Sequence, residues 1–219
     1  MRKTIQVEVR EPQYSVTTNI TFAQVDAWFG HTRQDLKMDL IYPEDSTKDY
    51  PCVVWICGGA WQSMDKSAHL AYLSGLAREG FVAASVQYRT SNEAQFPAQL
   101  QDVKAAIRYL RAHAGRYHIN AEKIGVMGES AGGYLTCMAA LAKDPVYDVG
   151  EYLEYSSEVQ AACPWYPPTD FRGFHYESAE QCAASPESLL MGKNVMRNQE
   201  EGLAACPVSF VTKDAPPFL

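Results

Sequence analysis

The sequence predicts an α/β domain built on a doubly wound, mostly parallel sheet. Short apolar runs rich in β-forming residues recur along the 219 residues, and amphipathic stretches of helical period separate them. A hydrophobic content of 47% with 21% charged residues is typical of a globular chain. Strands that alternate with helices of this length form parallel sheets with right-handed crossovers. No repeat divides the chain, so we expect one domain over residues 1–219.

Five strands are expected from the apolar pattern. Residues 35–42 alternate apolar and polar side chains up to Pro43, which predicts a half-buried, outer antiparallel strand. Continuous apolar runs are typical of central strands covered on both faces, and three such runs occupy 52–57, 81–86 and 123–127. Residues 158–164 are expected to form one more strand.

Three helices are expected between and after these strands. Residues 97–115 begin with Pro97 and place apolar side chains at a spacing of three and four, which predicts an amphipathic helix. Residues 65–79, which end before Gly80, and residues 130–142 are expected to form the other two. The segment 164–206 has no firm period, and we expect a cap-like excursion over an active site.

Composition excludes several classes of partner. The net charge is −7 and no basic cluster occurs, which disfavours nucleic acid and anionic membrane surfaces. No apolar run approaches the roughly 20 residues of a membrane span, and no export signal is visible at the start. Six cysteines without CxxC pairs indicate free thiols in a reducing, cytoplasmic environment. We expect a small-molecule substrate, no cofactor and no metal.

A G-x-S-x-G motif at residues 128–132 is the strongest chemical signal. It lies between a predicted strand and a predicted helix, the context in which a serine is held on a tight corner with its hydroxyl exposed. The flanking glycines allow the two elements to approach closely. We predict Ser130 as the nucleophile and the N–H of Ala131 as an oxyanion donor, since it opens the helix.

A second motif, Gly58-Gly59-Ala60-Trp61, directly follows the strand predicted at 52–57. Small residues at a strand end expose backbone N–H groups, which an oxyanion hole requires. Alone this signal is weak, because a tight turn has the same composition. Both motifs fall at carboxyl ends of parallel strands, where open α/β sheets bind ligands, and this supports a shared site.

The sequence resembles the esterase and lipase group of the α/β-hydrolase superfamily, and within it the carbohydrate-esterase-like branch. Besides the two motifs, the resemblance rests on residues 87–89, 96–103, 119–126, 166–171 and 216–219, which read QYR, FPAQLQDV, INAEKIGV, YPPTDF and PPFL.

The resemblance implies that Ser130 is the nucleophile and that Gly59, Ala60 and Ala131 supply the oxyanion donors. Cys57 stands where the family has a histidine that braces this loop. Tyr88, Arg89 and Asp102 are interpreted as structural. The substrate pocket is expected to include the side chains of Trp61, Glu129, Trp165, Tyr166 and His175.

The general base is the missing part of this prediction. A serine hydroxyl needs a base, and in this fold the order along the chain is Ser, then Asp or Glu, then His. His175 is the only histidine after Ser130. A triad with Asp170 is conceivable, but no strand separates the two residues. Since the family continues after a segment like 216–219, we expect a C-terminally truncated domain whose last strands and helix, triad acid and base lie beyond Leu219.

The predicted activity is hydrolysis of a small acyl or sugar ester through an acyl-serine. Two alternatives stay open: a catalytically silent ligand-binding module of the same fold, and an amide hydrolase of the arylformamidase type. An incomplete sheet would also leave an exposed edge through which the chain could self-associate.

Overall fold

A six-stranded mixed sheet forms the centre of the computed structural model, which describes residues 4–6 and 13–219. The strands lie in the order β1-β2-β4-β3-β5-β6. Their bounds are β1 Tyr14–Ala27, β2 Thr32–Pro43, β3 Tyr50–Ile56, β4 Val82–Val86, β5 Ile119–Glu129 and β6 Ala161–Trp165. Strands β3, β4, β5 and β6 are parallel, while β2 is antiparallel to both β4 and β1. The carboxyl ends of these four parallel strands therefore lie at the same end of the sheet.

The first strand corrects the sequence prediction. The outermost strand on this side of the sheet is β1, which the pattern did not predict. The strand expected at 35–42 corresponds to β2, which lies next to β1 and is therefore not an outer strand. Two register shifts, between Thr17 and Ile20 and between Thr21 and Ala23, interrupt the alternation of β1. Phe22 is its one fully buried residue. Because the bulges break the period of two, the strand carries no clean alternation in its sequence.

Helices cover the two faces of the sheet unequally. Their bounds are α1 Leu70–Arg78, α2 Ala98–Ala112, α3 Ala131–Leu141, α4 Ala179–Ala183, α5 Pro186–Met191 and α6 Gln199–Ala204. Leu73 and Ala77 of α1 pack on one face against Trp55 and Ala83. The larger core, with α2 and α3, lies on the other face, to which Val54 and Ile56 point. This separation follows from the alternation of side chains along β3.

Helix α1 starts later than its sequence pattern suggests, at Leu70 rather than at 65. The Asp65 carboxylate accepts the N–H of Ser67 at 2.8 Å, which closes a turn instead of a helix. Lys66 Nζ and Ser67 Oγ each donate to the carboxylate of Asp39, both at 2.7 Å. The buried Asp39 therefore ties this turn to β2.

The chain after β6 contains the three short helices α4, α5 and α6 with irregular segments between them. This excursion is anchored to the larger core: the N–H of Phe96 donates to Leu190 O at 2.9 Å, and Tyr134 Oη donates to Ala205 O at 2.8 Å. Phe218 returns to the sheet and bridges Ala162 in parallel. None of the helices within residues 4–6 and 13–219 is both long and apolar enough to cross a bilayer.

Candidate active site

Ser130 occupies a sharp corner between β5 and α3. Its backbone has φ 51° and ψ −118°, a conformation that non-glycine residues rarely adopt and that costs about 1–3 kcal/mol. The Ser130 N–H donates to Trp165 O at 2.9 Å, so the end of β6 helps to hold the corner. The backbone conformation and the partly exposed side chain are those that the G-x-S-x-G motif predicts.

Glycines make this corner sterically feasible. A methyl group at Gly132 would overlap the carbonyl oxygen of Ile56 at the end of β3, and one at Gly128 would lie 2.6 Å from Gly132 O. A methyl group at Gly133 would lie 2.7 Å from Trp165 O. Helix α3 can therefore begin against β3 and β6 only because these positions lack a side chain.

The loop after β3 lies directly against Ser130. A methyl group at Gly58 would be 3.3 Å from the Ser130 Cβ atom. Gly59, Ala60 and Trp61 follow with φ angles of 129°, 54° and 58°. The N–H groups of Gln62 and Ser63 both donate to Gly59 O, at 3.0 and 3.1 Å, and close the loop on itself. Three successive residues of this loop therefore have positive φ angles, which L-amino acids rarely adopt.

Two residues that line the same cavity as Ser130, Ala60 and Ala131, have backbone N–H groups that could act as donors. Within residues 4–6 and 13–219, neither Ala60 nor Ala131 donates its N–H to a backbone carbonyl outside its own element. Ala131 is the first residue of α3, whose N-terminal N–H groups have no intrahelical acceptor. An anionic oxygen between these donors would be stabilised by both of them and by the helix dipole.

Ser130, Ala60, Ala131 and Trp61 line one cavity of about 290 Å³. The remaining wall comes mainly from the excursion after β6, and its residues are Tyr166, Pro167, Pro168, Phe174, Pro186 and Glu187. Trp61 is almost fully buried and packs edge-on against Tyr134 and Phe171, with ring centroids 5.1 and 6.0 Å away. The site is thus small and mostly apolar, with one carboxylate.

Three residues predicted for the pocket, Glu129, Trp165 and His175, do not line the cavity. The Trp165 ring points to the α1 face, where it meets Trp55 at 5.5 Å and Tyr72 at 5.6 Å between centroids. Tyr166, the next residue along the chain, lines the cavity instead. His175 is exposed and does not contribute to the lining. Gly59 lies within the loop that carries Ala60 but is not a lining residue.

Glu129, also predicted for the pocket, connects the corner to two other elements. Its carboxylate accepts a hydrogen bond from Tyr166 Oη at 2.6 Å and lies 3.4 Å from His69 Nε2. The bond to Glu129 raises the pKa of Tyr166. The sequence motifs did not point to His69, because no spacing rule links it to Glu129. The wall residues Pro167 and Pro168 could have been found, since they belong to the YPPTDF segment.

No base reaches Ser130 within the described part of the chain, where its hydroxyl has no hydrogen-bond partner. The Asp170–His175 pair is not assembled, because Asp170 binds its neighbour Arg172, with Nη2 to Oδ2 at 2.6 Å. That interaction lowers the pKa of Asp170. No group of three His, Cys, Asp or Glu side chains among the described residues could hold a metal ion.

Cys57, which stands where the family has a histidine, lies in a loop that other residues hold in place. Cys57 is buried, and burial raises the pKa of its thiol to about 11, so it is a neutral thiol at neutral pH. Its carbonyl accepts a hydrogen bond from Tyr88 Oη at 3.0 Å, and Trp61 O accepts the N–H of Ser91 at 2.7 Å. Arg89 forms a two-pronged ion pair with Asp102, with Nη2 to Oδ1 at 2.7 Å. These bonds support the structural interpretation of Tyr88, Arg89 and Asp102.

Comparison with known proteins adds to this geometry. Two Mycobacterium tuberculosis proteins, esterase LipC and esterase LipQ, are 31% and 32% identical over 79% and 77% of this chain. The alignments cover 43% and 40% of those proteins, so the chain spans about two fifths of the length of these curated relatives.

A solved structure described as a truncated form of a carbohydrate esterase from gut microbiota superposes with a TM-score of 0.78 at 30% identity, covering 95% of this chain and 78% of that one. Thermogutta terrifontis esterase 2 has the same fold, with a TM-score of 0.68 at 23% identity, 97% of this chain and 71% of that chain. The BD-FAE family profile matches residues 38–219. The chain has the α/β-hydrolase fold and belongs to the BD-FAE family.

Proposed function

We propose that the protein carrying this chain hydrolyses carboxylic esters through an acyl-serine intermediate at Ser130. The observation that carries the proposal is the contact between the strained Ser130 corner and the loop at 58–61, together with the cavity that Ser130 shares with Ala60 and Ala131. Attack of the Ser130 oxygen on an ester carbonyl would place the developing oxyanion near these donors. The names of the esterase relatives agree with this chemistry.

The cavity favours a small, uncharged acyl group. Its volume of about 290 Å³ lies at the lower end of the range for small-molecule sites, and its wall is rich in proline and aromatic side chains. The one lining carboxylate, Glu187, would repel an anionic acyl group. A small acyl chain esterified to an alcohol such as a sugar fits this description.

The test uses p-nitrophenyl acetate at alkaline pH, where hydroxide can remove the serine proton that no described side chain reaches. We expect about one equivalent of p-nitrophenol per chain to be released in a first phase. Slow turnover should follow, because the acyl-serine is an alkyl ester whose leaving group is much poorer than p-nitrophenolate, and no described side chain acts as a base for its hydrolysis. Ser130→Ala should lose the first phase, whereas Ser46→Ala, which changes an exposed serine, should keep it.

An equal first phase in Ser130→Ala would refute the proposal. The absence of any first phase in the unchanged chain would favour the silent ligand-binding module, to which the unpartnered Ser130 hydroxyl also points. A parallel measurement with p-nitroacetanilide separates the ester from the amide chemistry, since both substrates carry the same acyl group.

A further inference from the structure

The turn between β1 and β2 stands at the same edge of the sheet as Ser130. Because β2 is antiparallel to β4, Met38 pairs with Val86 at the carboxyl end of β4, and the six residues before it extend past that end. At the rise of a strand they reach about 20 Å beyond it. The turn at 28–31 therefore lies beyond the carboxyl ends of the parallel strands, the same end of the sheet at which Ser130 and the loop at 58–61 lie.

Two large aromatic residues occupy this turn. The side chains of Trp28 and Phe29 are 78% and 99% exposed, and both residues have positive φ angles of 51° and 55°. The N–H of Gly30 donates to Ala27 O at 3.1 Å, so they occupy the two central positions of a tight turn. Such positions favour Asn-Gly, and bulky side chains are unfavourable there. Neither burial nor turn propensity accounts for these rings.

A cleft of about 600 Å³ lies between this turn and the loop after β4. We call it the hairpin cleft, and its main lining side chains are Trp28, Phe29, Gln34, Asn92 and Glu93. Gln34 Nε2 donates to one oxygen of Glu93 at 2.9 Å, and the N–H of Thr90 donates to the other at 2.7 Å. The polar groups of the cleft are therefore held in fixed positions.

The hairpin cleft connects to the Ser130 cavity through one short loop. Asn92 Nδ2 donates to Gln62 O at 3.0 Å, and the N–H of Ser91 donates to Trp61 O at 2.7 Å. Trp61 itself lines the cavity with Ser130. A ligand longer than a small acyl ester could therefore contact both places along the same edge of the sheet.

We propose that the hairpin cleft binds a neutral oligosaccharide. Open aromatic faces match the C–H faces of pyranose rings, while fixed carboxylate and amide groups can bind hydroxyls. The carboxylates of Asp26 and Glu93 disfavour an anionic ligand, since the one lining cation, Arg89, is already paired with Asp102.

The shape of the cleft separates a sugar from an apolar ligand. An acyl chain would need an enclosed, wholly apolar channel, whereas this cleft is open and carries amide and carboxylate groups. That the bound sugar is the alcohol part of the ester cleaved at Ser130 rests on the proposed function. Binding itself does not.

The test measures binding rather than turnover. Isothermal titration of the Ser130→Ala chain with cellohexaose and with xylohexaose is expected to detect at least one of these sugars. A Trp28→Ala/Phe29→Ala pair should weaken that binding by about tenfold or more, because the buried aromatic contact is lost. Tyr155→Ala removes an aromatic side chain that is 37% exposed elsewhere and should change nothing.

Thermal unfolding of the double variant should match that of the parent, since the removed rings are exposed. The proposal would be overturned if neither sugar binds at millimolar concentration, or if the double variant binds the sugar with the same affinity as the parent. Sugar binding without acylation of Ser130 would leave the cleft standing and reject the esterase. Acylation without sugar binding would do the reverse.

Discussion

Replacing Gly132 with alanine tests how closely α3 approaches β3. The added methyl group would overlap Ile56 O and lie 2.7 Å from Cys57 O, and both are backbone atoms that cannot rotate away. Overpacking costs about 1–3 kcal/mol, and we expect the upper end, about 3 kcal/mol, because the overlap is with backbone. With an ordinary urea dependence of about 2 kcal/mol per molar, the unfolding midpoint should fall by about 1.5 M.

Gly75→Ala is the matched control for this experiment. Gly75 lies in α1, and a methyl group there meets nothing within 4 Å. Alanine is the better helix former, so this variant should be more stable by about 0.5–1 kcal/mol. Urea unfolding followed by circular dichroism measures both. A Gly132→Ala midpoint within about 0.2 M of the parent, equivalent to less than about 0.5 kcal/mol, would refute the close-approach argument.

Two further predictions concern buried polar groups. Although burial opposes it, hydrogen bonds that include one from Lys66 lower the pKa of Asp39, so its stabilisation is present above its unfolded pKa of about 3.9 and is lost as pH falls through the lower folded value. Urea midpoints between pH 6 and 2 should fall less in Asp39→Asn than in the parent, and parallel curves would contradict this. Tyr88→Phe leaves Cys57 O without its donor and should cost about 1–2 kcal/mol in urea unfolding, whereas an unchanged midpoint would show that the bond is dispensable.

The parts of the fold that sequence could predict are those whose cause is local. The Ser130 corner follows from the spacing of glycines around one serine, and the central strands follow from continuous apolar runs. Strand β1 was missed because its bulges shift the register twice. The first of these bulges is tied to a distant residue, since the N–H of Asn19 donates to Asp39 at 2.8 Å. A hydrogen bond between two strands cannot be read from the alternation of residues along one of them.

The site shows the same division. Ala60, Trp61 and Ala131 could be placed near Ser130 from the sequence because their positions are fixed relative to two motifs, and all three line its cavity. Trp165 and Tyr166 are adjacent in sequence, and a composition argument assigned both to one pocket. The structure shows that their side chains face opposite sides of the sheet. The contact of His69 with Glu129 depends on how α1 packs, which only the structure shows.

Peptide mapping of acetylated serines tests the central claim most directly. The chain is treated briefly with p-nitrophenyl acetate at alkaline pH, and acetylation at Ser130 and at the exposed Ser46 is quantified in the same digest. One oxyanion donor contributes about a hundredfold or more, so acetylation should be at least about a hundredfold faster at Ser130 than at Ser46. Equal labelling of the two serines would contradict the assignment of Ser130 as an activated nucleophile beside an oxyanion hole.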